Sequence, residues 1–481
     1  MAGVTQRLER ALEREAPVWG IRPVPPHLRR LGGIEFAVLW GDLSIGLLVL
    51  VTGALLVPAL GLPRALLAIA IGSAVGCLPL ALVGMAGARE GVPGMVLFRP
   101  VLGRVGSFIP SVLNLAQLVG WVAVELWAMG RVANAVSRDL FGLDAYPFWL
   151  AAVAVVSTAL ALGGPILVVR RWLERFGVYV VAAVAAWLTY RVLSQGDLGS
   201  IWSQPGHGGL PFWLAVDLVI VMPLSWLPLV ADYNRFARRG VSTFAGTYLG
   251  YLLGNVWFYG LGAMLVLAAG AAADVAVIGD SIAAVAGGGI VLVVLLVGES
   301  DQAFANIYSS AVTVQNVAPR APQRPLIVAV AAAGFVLAAF LTMAAYEFFL
   351  FLIGSVFVPL AGVFVADYYV RRGGRYGEAA LFEAAPPGIR WPALVPWILG
   401  FLLFHWSVPT GPGWWQSAAE TFYSDWLRLP FPLFSSAAGA SIPSFAGAFA
   451  LSLLLRPRAK LESPQRPASG GPLPPGPPRD R

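Results

Sequence analysis

Charge is what this 481-residue chain has least of: 12% of its residues are Asp, Glu, Lys or Arg, against 58% hydrophobic. A soluble domain carries about 25% charged residues. Apolar runs long enough to cross a bilayer recur along the whole length, which predicts a polytopic membrane protein and excludes an anchored soluble domain. Cysteine is nearly missing as well. The lone Cys77 lies in an apolar run, can form no intramolecular disulfide, and reads as packing. There are three histidines, His27, His207 and His405, scattered in loops and near segment ends, with no HExxH. That leaves little for an intramembrane hydrolase, and no repeated filter sequence points to a channel. Of 32 basic residues 31 are arginine, which reflects coding bias and not nucleic-acid binding. The first thirty residues hold no signal peptide; their RLERALERE alternation predicts a short surface helix.

Twelve segments are expected near 34–58, 64–86, 107–136, 146–163, 176–194, 211–231, 246–270, 288–316, 325–342, 346–370, 392–409 and 438–456. Scored across alternating connections, 27 basic residues fall on the side of the N-terminus and five on the other. The positive-inside rule then puts both termini in the cytoplasm of a cell-membrane protein. The organisation expected is a cytoplasmic segment 1–33, a core 34–370, a cytoplasmic loop 371–391, two further segments within 392–456, and a tail 457–481. The tail is rich in Pro and Gly and reads as disordered.

Segment 6 contains its own interruption. In DLVIVMPLSWLPLVADYNRF, Pro223 and Pro228 bracket Ser225 and Trp226. Each proline removes a backbone donor and clashes with the carbonyl four residues back. Within a bilayer this is tolerated where the freed carbonyls face protein or a water-filled cavity, and such interrupted helices supply the binding sites of many secondary transporters. Segment 1 has a counterpart in GDLSIG, where Gly41, Asp42, Ser44 and Gly46 cluster. The two breaks lie five segments apart, the spacing of a five-plus-five inverted repeat.

Polar stripes mark two other segments. Asn114, Gln117, Trp121 and Glu125 share one face of segment 3, and a mid-membrane glutamate needs a partner or water. In segment 8, Glu299, Gln302, Asn306, Ser309, Thr313 and Asn316 follow steps of three and four, with Ser310 and Gln315 at the edges. A stripe of this kind inside a bilayer faces a cavity or another polar helix. The hydroxyls of Ser309 and Ser310 are oxygens of the type a hard cation takes.

With these stretches in order, the chain resembles the nucleobase:cation symporter-1 family of purine, cytosine, hydantoin and hydroxymethylpyrimidine permeases. GMAGAREGVPGMVLFRPVLGRVGSFIPSVLN is similar to the family's connection into segment 3, and LAQLVGWVAVE to its segment-3 substrate stretch. LVADYNRFAR resembles the exit of segment 6, ANIYSSAVTVQN segment 8, and GSVFVPLAGVFVADYYVRR segment 10. The resemblance implies an all-α, leucine-transporter-type fold of twelve helices with segments 1 and 6 broken. It also implies import of a planar nitrogen heterocycle together with a cation. Its stacking tryptophan falls on Trp121 and the next polar contact on Glu125, with Gln117 on the same face; the segment-6 contacts fall on Ser225 and Trp226, and the segment-8 contact on Gln315 or Asn316. The implied sodium ligands are Ser309 and Ser310, the Asn306 carbonyl, and segment-1 groups at Asp42, Ile45 and Gly46. Asp42 and Glu125 depart from the family pattern by adding carboxylates.

The residues agree with this physically. Indole faces grip a flat base by stacking, at about 1–3 kcal/mol per base. Gln, Asn, Ser and a carboxylate match the donors and acceptors of its edge, and a carboxylate accepts two donors from an aminopyrimidine. The coupling ion is expected to be sodium, with a proton carried by Asp42 as the alternative. An amino-acid carrier on the same fold is the rival reading, but the acid in GDLSIG would repel a substrate carboxylate. No enzymatic cofactor is expected; the partners are the heterocycle, the cation and the bilayer.

Overall fold

The structure, a computed structural model, describes residues 20–163, 178–195, 197–269, 282, 288–382, 388–433 and 438–455. The expected surface helix in RLERALERE and the tail 457–481 lie outside these residues. The described chain is helical throughout, with one isolated β-bridge between Leu31 and Ala237. Helices answer all twelve expected segments. Segment 1 is Gly33–Asp42 followed by Leu47–Ala54. Segments 2 to 5 are Leu62–Glu90, Phe108–Phe141, Tyr146–Gly163 and Val178–Gln195. Segment 6 is Phe212–Ser225 with the short continuation Val230–Asn234. Segments 7 to 10 are Gly240–Ala269, Gly288–Val317, Gln323–Ala338 and Met343–Val365. Trp391–Ser407 and Ser441–Leu455 are segments 11 and 12. Five of these helices are long and apolar enough to cross a bilayer, and the bent pair of segment 1 makes a sixth. The other six are apolar but shorter. The expected 371–391 loop carries one short helix, Glu378–Phe382.

Both interruptions fall where the sequence placed them. The halves of segment 1 meet at 62° across Leu43–Gly46. In segment 6 the helix stops at Ser225, two residues after Pro223, and resumes at Val230 beyond Pro228. The carbonyls freed there are taken up locally. The Ser225 hydroxyl donates to Met222 O at 2.7 Å, and the Gln117 amide of segment 3 donates to Ser225 O at 2.8 Å. A break inside a bilayer requires such partners.

Segments 1, 2, 6 and 7 pack against one another, and segments 3, 4, 8 and 9 form a second group. Segments 10, 11 and 12 pack together beside segment 6. Segment 7 lies on segment 1 along a glycine seam. A Cβ on Gly246 would strike the Gly33 carbonyl oxygen, and one on Gly250 the main chain of Ala37. Small residues let backbones approach in this way, and the gain is close van der Waals contact where lipid supplies no hydrophobic drive. Segment 12 is tied to the core by the buried Asp217 of segment 6, whose carboxylate accepts from Ala440 N at 2.7 Å and Ser441 N at 2.9 Å. These are orphan donors at a helix start, and an acceptor there stabilises it. Residues 20–32 cross the end of the bundle where segment 1 begins, with Val24 N donating to Gly91 O and Arg235 to Gly20 O.

Candidate substrate and cation site

Where the two breaks face segments 3 and 8, the chain encloses a small cavity. Its wall comes from Leu48 and Val49 of segment 1, Trp121 and Glu125 of segment 3, Met222, Ser225 and Trp226 of segment 6, Tyr251 of segment 7, and Gln302 and Asn306 of segment 8. Four residues expected at the substrate site, Trp121, Glu125, Ser225 and Trp226, therefore share one space. The remaining volume is about 10 Å³, room for roughly one water and far below the ~300–1,000 Å³ of ordinary ligand pockets. A flat base enters only if the walls separate, so this is a closed, contracted arrangement.

Each indole is held from behind. Trp121 meets Phe349 edge-on at 5.4 Å between ring centres and Tyr346 at 6.3 Å, both from segment 10. Trp226 meets Trp40 at 6.0 Å, and Trp40 Nε1 donates to Asn234 Oδ1 at 2.9 Å. Between them, Glu125 Oε1 accepts from Asn306 Nδ2 at 2.7 Å. Glu125 Oε2, Gln302 Nε2 and Trp121 Nε1 have no hydrogen-bond partner among the described residues.

Several expected site residues sit elsewhere. Gln117 is absent from the cavity wall: its amide donates to Asn114 Oδ1 and Ser225 O, linking segments 3 and 6. Asn316 is also outside the cavity. It receives Arg99 Nε at 2.8 Å and donates to Ser107 and Ser111, tying the end of segment 8 to the start of segment 3. Gln315 donates to Ala321 O in the following turn. Both lie within two residues of the end of their helix, Val317, too far along to reach a cavity at its middle.

The expected cation set is divided in the same way. Asp42 is buried at the break, with its carbonyl accepting from Ile45 N at 2.9 Å. Gly46 is approached by the side chains of Glu299 and Gln302. Ten residues of helix, about 15 Å, separate Glu299 from Ser309. Ser309 lies beside Asp232 and Tyr233 at the far end of segment 6, and Ser310 donates to the Ile307 carbonyl. Asn306 contributes its side chain to the substrate cavity.

Glu299 was visible in the polar stripe but had no assigned task. Its Oε2 accepts from Leu47 N at 2.9 Å, capping the second half of segment 1, where partial positive charge collects. Its Oε1 is buried without a partner among the described residues. That spare carboxylate oxygen beside an interrupted helix is the donor type a hard cation takes, so the residues present fit an oxygen-liganded ion.

Two broken helices meeting at a closed cavity, against the helices of segments 3 and 8, define a secondary-transporter core. The sequence profile described as "Permease for cytosine/purines, uracil, thiamine, allantoin" matches residues 23–427, and the chain belongs to that family, nucleobase:cation symporter-1. It is a multi-pass membrane protein of a permease family, not an enzyme. It is 24% identical over 443 residues to a hydantoin permease of Microbacterium maritypicum, covering 85% of this chain and 89% of that one. It is 27% identical over 391 residues to the cytosine permease of Escherichia coli K12, covering 80% and 88%. Among solved structures, Mhp1, a nucleobase-cation-symport-1 transporter in a closed conformation with bromovinylhydantoin bound, superposes with a TM-score of 0.74 at 19% identity. That match covers 91% of this chain and 94% of Mhp1. A sodium-coupled sialic acid symporter superposes at 0.63 and 12% identity, covering 96% and 98%. These likenesses establish the shared five-plus-five fold.

Proposed function

We propose that the protein is a secondary active transporter that imports a nucleobase or related planar nitrogen heterocycle by cation symport with alternating access. The observation that carries this reading is the closed cavity in which Trp121 and Trp226, from two different segments, flank Glu125 and Asn306. Flat apolar faces with polar groups at the edge suit a heteroaromatic ring. An amino-acid substrate would bring its own carboxylate beside Glu125, and among the described residues no Lys, Arg or His lines this cavity to offset the two charges.

Sodium is the proposed coupling ion, and its proposed seat is the break in segment 1 beside Glu299, with Asp42 nearby. A cation there would bridge segments 1 and 8, favouring the substrate-ready arrangement of the two groups. In proteoliposomes, a sodium gradient should drive uptake and a pH gradient alone should not. Glu299→Gln, which keeps an acceptor for Leu47 N but removes the charge, should weaken sodium dependence by about ten-fold or more. Ser309→Ala with Ser310→Ala should leave that dependence intact. Uptake driven only by the pH gradient, and abolished by Asp42→Asn, would transfer the role to a proton.

The proposed orientation has both termini in the cytoplasm of a cell membrane, supported by the 27-to-5 division of basic residues. A reporter fused after Arg456 should be active in its cytoplasmic form, and one inserted at His207 in its external form. The reverse pattern at either position would invert the topology.

A further inference from the structure

A helix outside the twelve segments follows segment 11: Gly413–Glu420 runs without a break into the π-helical turn Thr421–Trp426. It does not stand clear of the bundle. The Tyr423 hydroxyl donates to Leu402 O at 2.7 Å, and its ring stacks on Trp406 with 5.8 Å between centres. Trp415 meets His405 edge-on at 5.3 Å. These contacts run from near Ser407, the end of segment 11, back to Leu402, about 7 Å along its axis. Segment 11 has 17 residues, about 25 Å of helix against a hydrocarbon layer of about 30 Å. Its end therefore reaches only the edge of that layer, and the helix beside it lies at the level where lipid headgroups begin.

The flanks of this helix differ in chemistry. Trp415 and Tyr423, with the buried Ala419 between them at steps of four, form the flank turned to segment 11. Trp414, Ala418, Phe422 and Trp426 follow the same steps on the next flank. The indoles at its two ends are 71% and 74% exposed. Beyond that flank, Ser417 and Glu420 are exposed polar groups.

We propose that this helix is an interfacial anchor, with its Trp414–Trp426 flank seated among the phospholipid headgroups and upper acyl chains of the leaflet at the end of segment 11. In the orientation proposed above that is the outer leaflet. An amphipathic helix at this depth lies in the membrane plane with its apolar side in the headgroup boundary. Indole suits that boundary because its ring is apolar and its N–H reaches water or lipid oxygens. A second copy of the chain is the weaker occupant: two indoles offer at most roughly 500 Å², short of the about 800 Å² per partner in a stable interface. Seated in this way, the helix fixes the depth of a segment too short to set its own level by spanning.

The test uses the full-length protein in phospholipid liposomes. Nitroxide labels are attached to single cysteines made by Trp414→Cys, Trp426→Cys and, on the polar flank, Glu420→Cys. The one native cysteine, Cys77, is buried, and the parent protein taken through the same labelling supplies the background. At 414 and 426 the label should collide with oxygen, which concentrates in lipid, several-fold more than with a water-soluble nickel chelate. At 420 the order should be reversed. Preference for the chelate at 414 and 426 puts the flank in water and overturns the proposal. Exclusion of both reagents there, with spin–spin broadening, puts a second copy on the flank and overturns it as well. On the unmodified protein, a phospholipid with a photoactivatable group at the top of its acyl chain should label residues 413–427. Absence of that label overturns the proposal even if the cysteine variants do not fold.

Discussion

Trp121→Ala is expected to abolish heterocycle uptake at substrate concentrations that saturate the wild type, and Trp121→Phe to restore part of it. The indole forms one wall of the cavity, and loss of a stacking face costs about 1–3 kcal/mol per base, or roughly ten- to a hundred-fold in affinity. The same truncation removes contacts with Phe349 and Tyr346, and a large-to-small change in a core costs about 3–5 kcal/mol of stability. Binding must therefore be measured on monodisperse protein, by titration, beside a thermal melt. Phenylalanine keeps a flat face and most of the packing. Normal transport by Trp121→Ala would make the tryptophan a packing residue and remove the substrate site from this cavity.

The second large effect is one of stability, and its sign is unusual. Glycine to alanine inside a helix ordinarily stabilises by about 1 kcal/mol. At Gly289, where an added Cβ meets nothing within 4 Å among the described residues, that is the expected outcome. At Gly250 the added methyl meets the main chain of Ala37, which cannot rotate away as a side chain would. Overpacking typically costs about 1–3 kcal/mol, so Gly250→Ala should lower the melting temperature in detergent by several degrees while Gly289→Ala leaves it level or raises it. Equal behaviour of the two variants would mean that segments 1 and 7 are not in backbone contact.

Much of this architecture was legible because bilayer physics leaves few options. Scarce charge, recurring apolar runs and proline-bracketed residues led to twelve helices and to breaks at the Gly41–Gly46 cluster and between Pro223 and Pro228. The stripe periodicity on segments 3 and 8 also identified helix faces that the structure turns inward. Depth along a helix was not legible in the same way. A stripe running from Glu299 to Asn316 occupies the C-terminal three-fifths or so of segment 8, and periodicity assigns no level within it. Counting from the helix ends would have helped: the middle of Gly288–Val317 lies beside Gln302, level with the break, whereas Asn316 and Gln315 are at its end. The capping of Leu47 by Glu299 joins residues 252 positions apart, and Tyr251 lines the cavity beside residues from four other segments, so no local pattern announces either. Gln117 sits on the expected face, and in this arrangement its amide nitrogen bonds a freed carbonyl of segment 6.

The seam between segments 1 and 7 constrains how the cavity can open. Because main chain rests on main chain on both sides of the bend, through Gly250 against Ala37 and Gly262 against Leu50, the 62° angle is held by a third helix and is not free to straighten at its loose residues. The bent helix and its neighbour are thereby held as one unit. Segments 1 and 6 meet segments 3 and 8 through single hydrogen bonds that include Leu47 N to Glu299, Gln117 to Ser225 O, and Tyr233 to Ala305 O at 3.3 Å. Each is worth about 1 kcal/mol net and can be exchanged for water or a bound group. If the cavity opens along that contact, a few such bonds set the cost, a gap of the size that a ligand tips by binding two forms unequally.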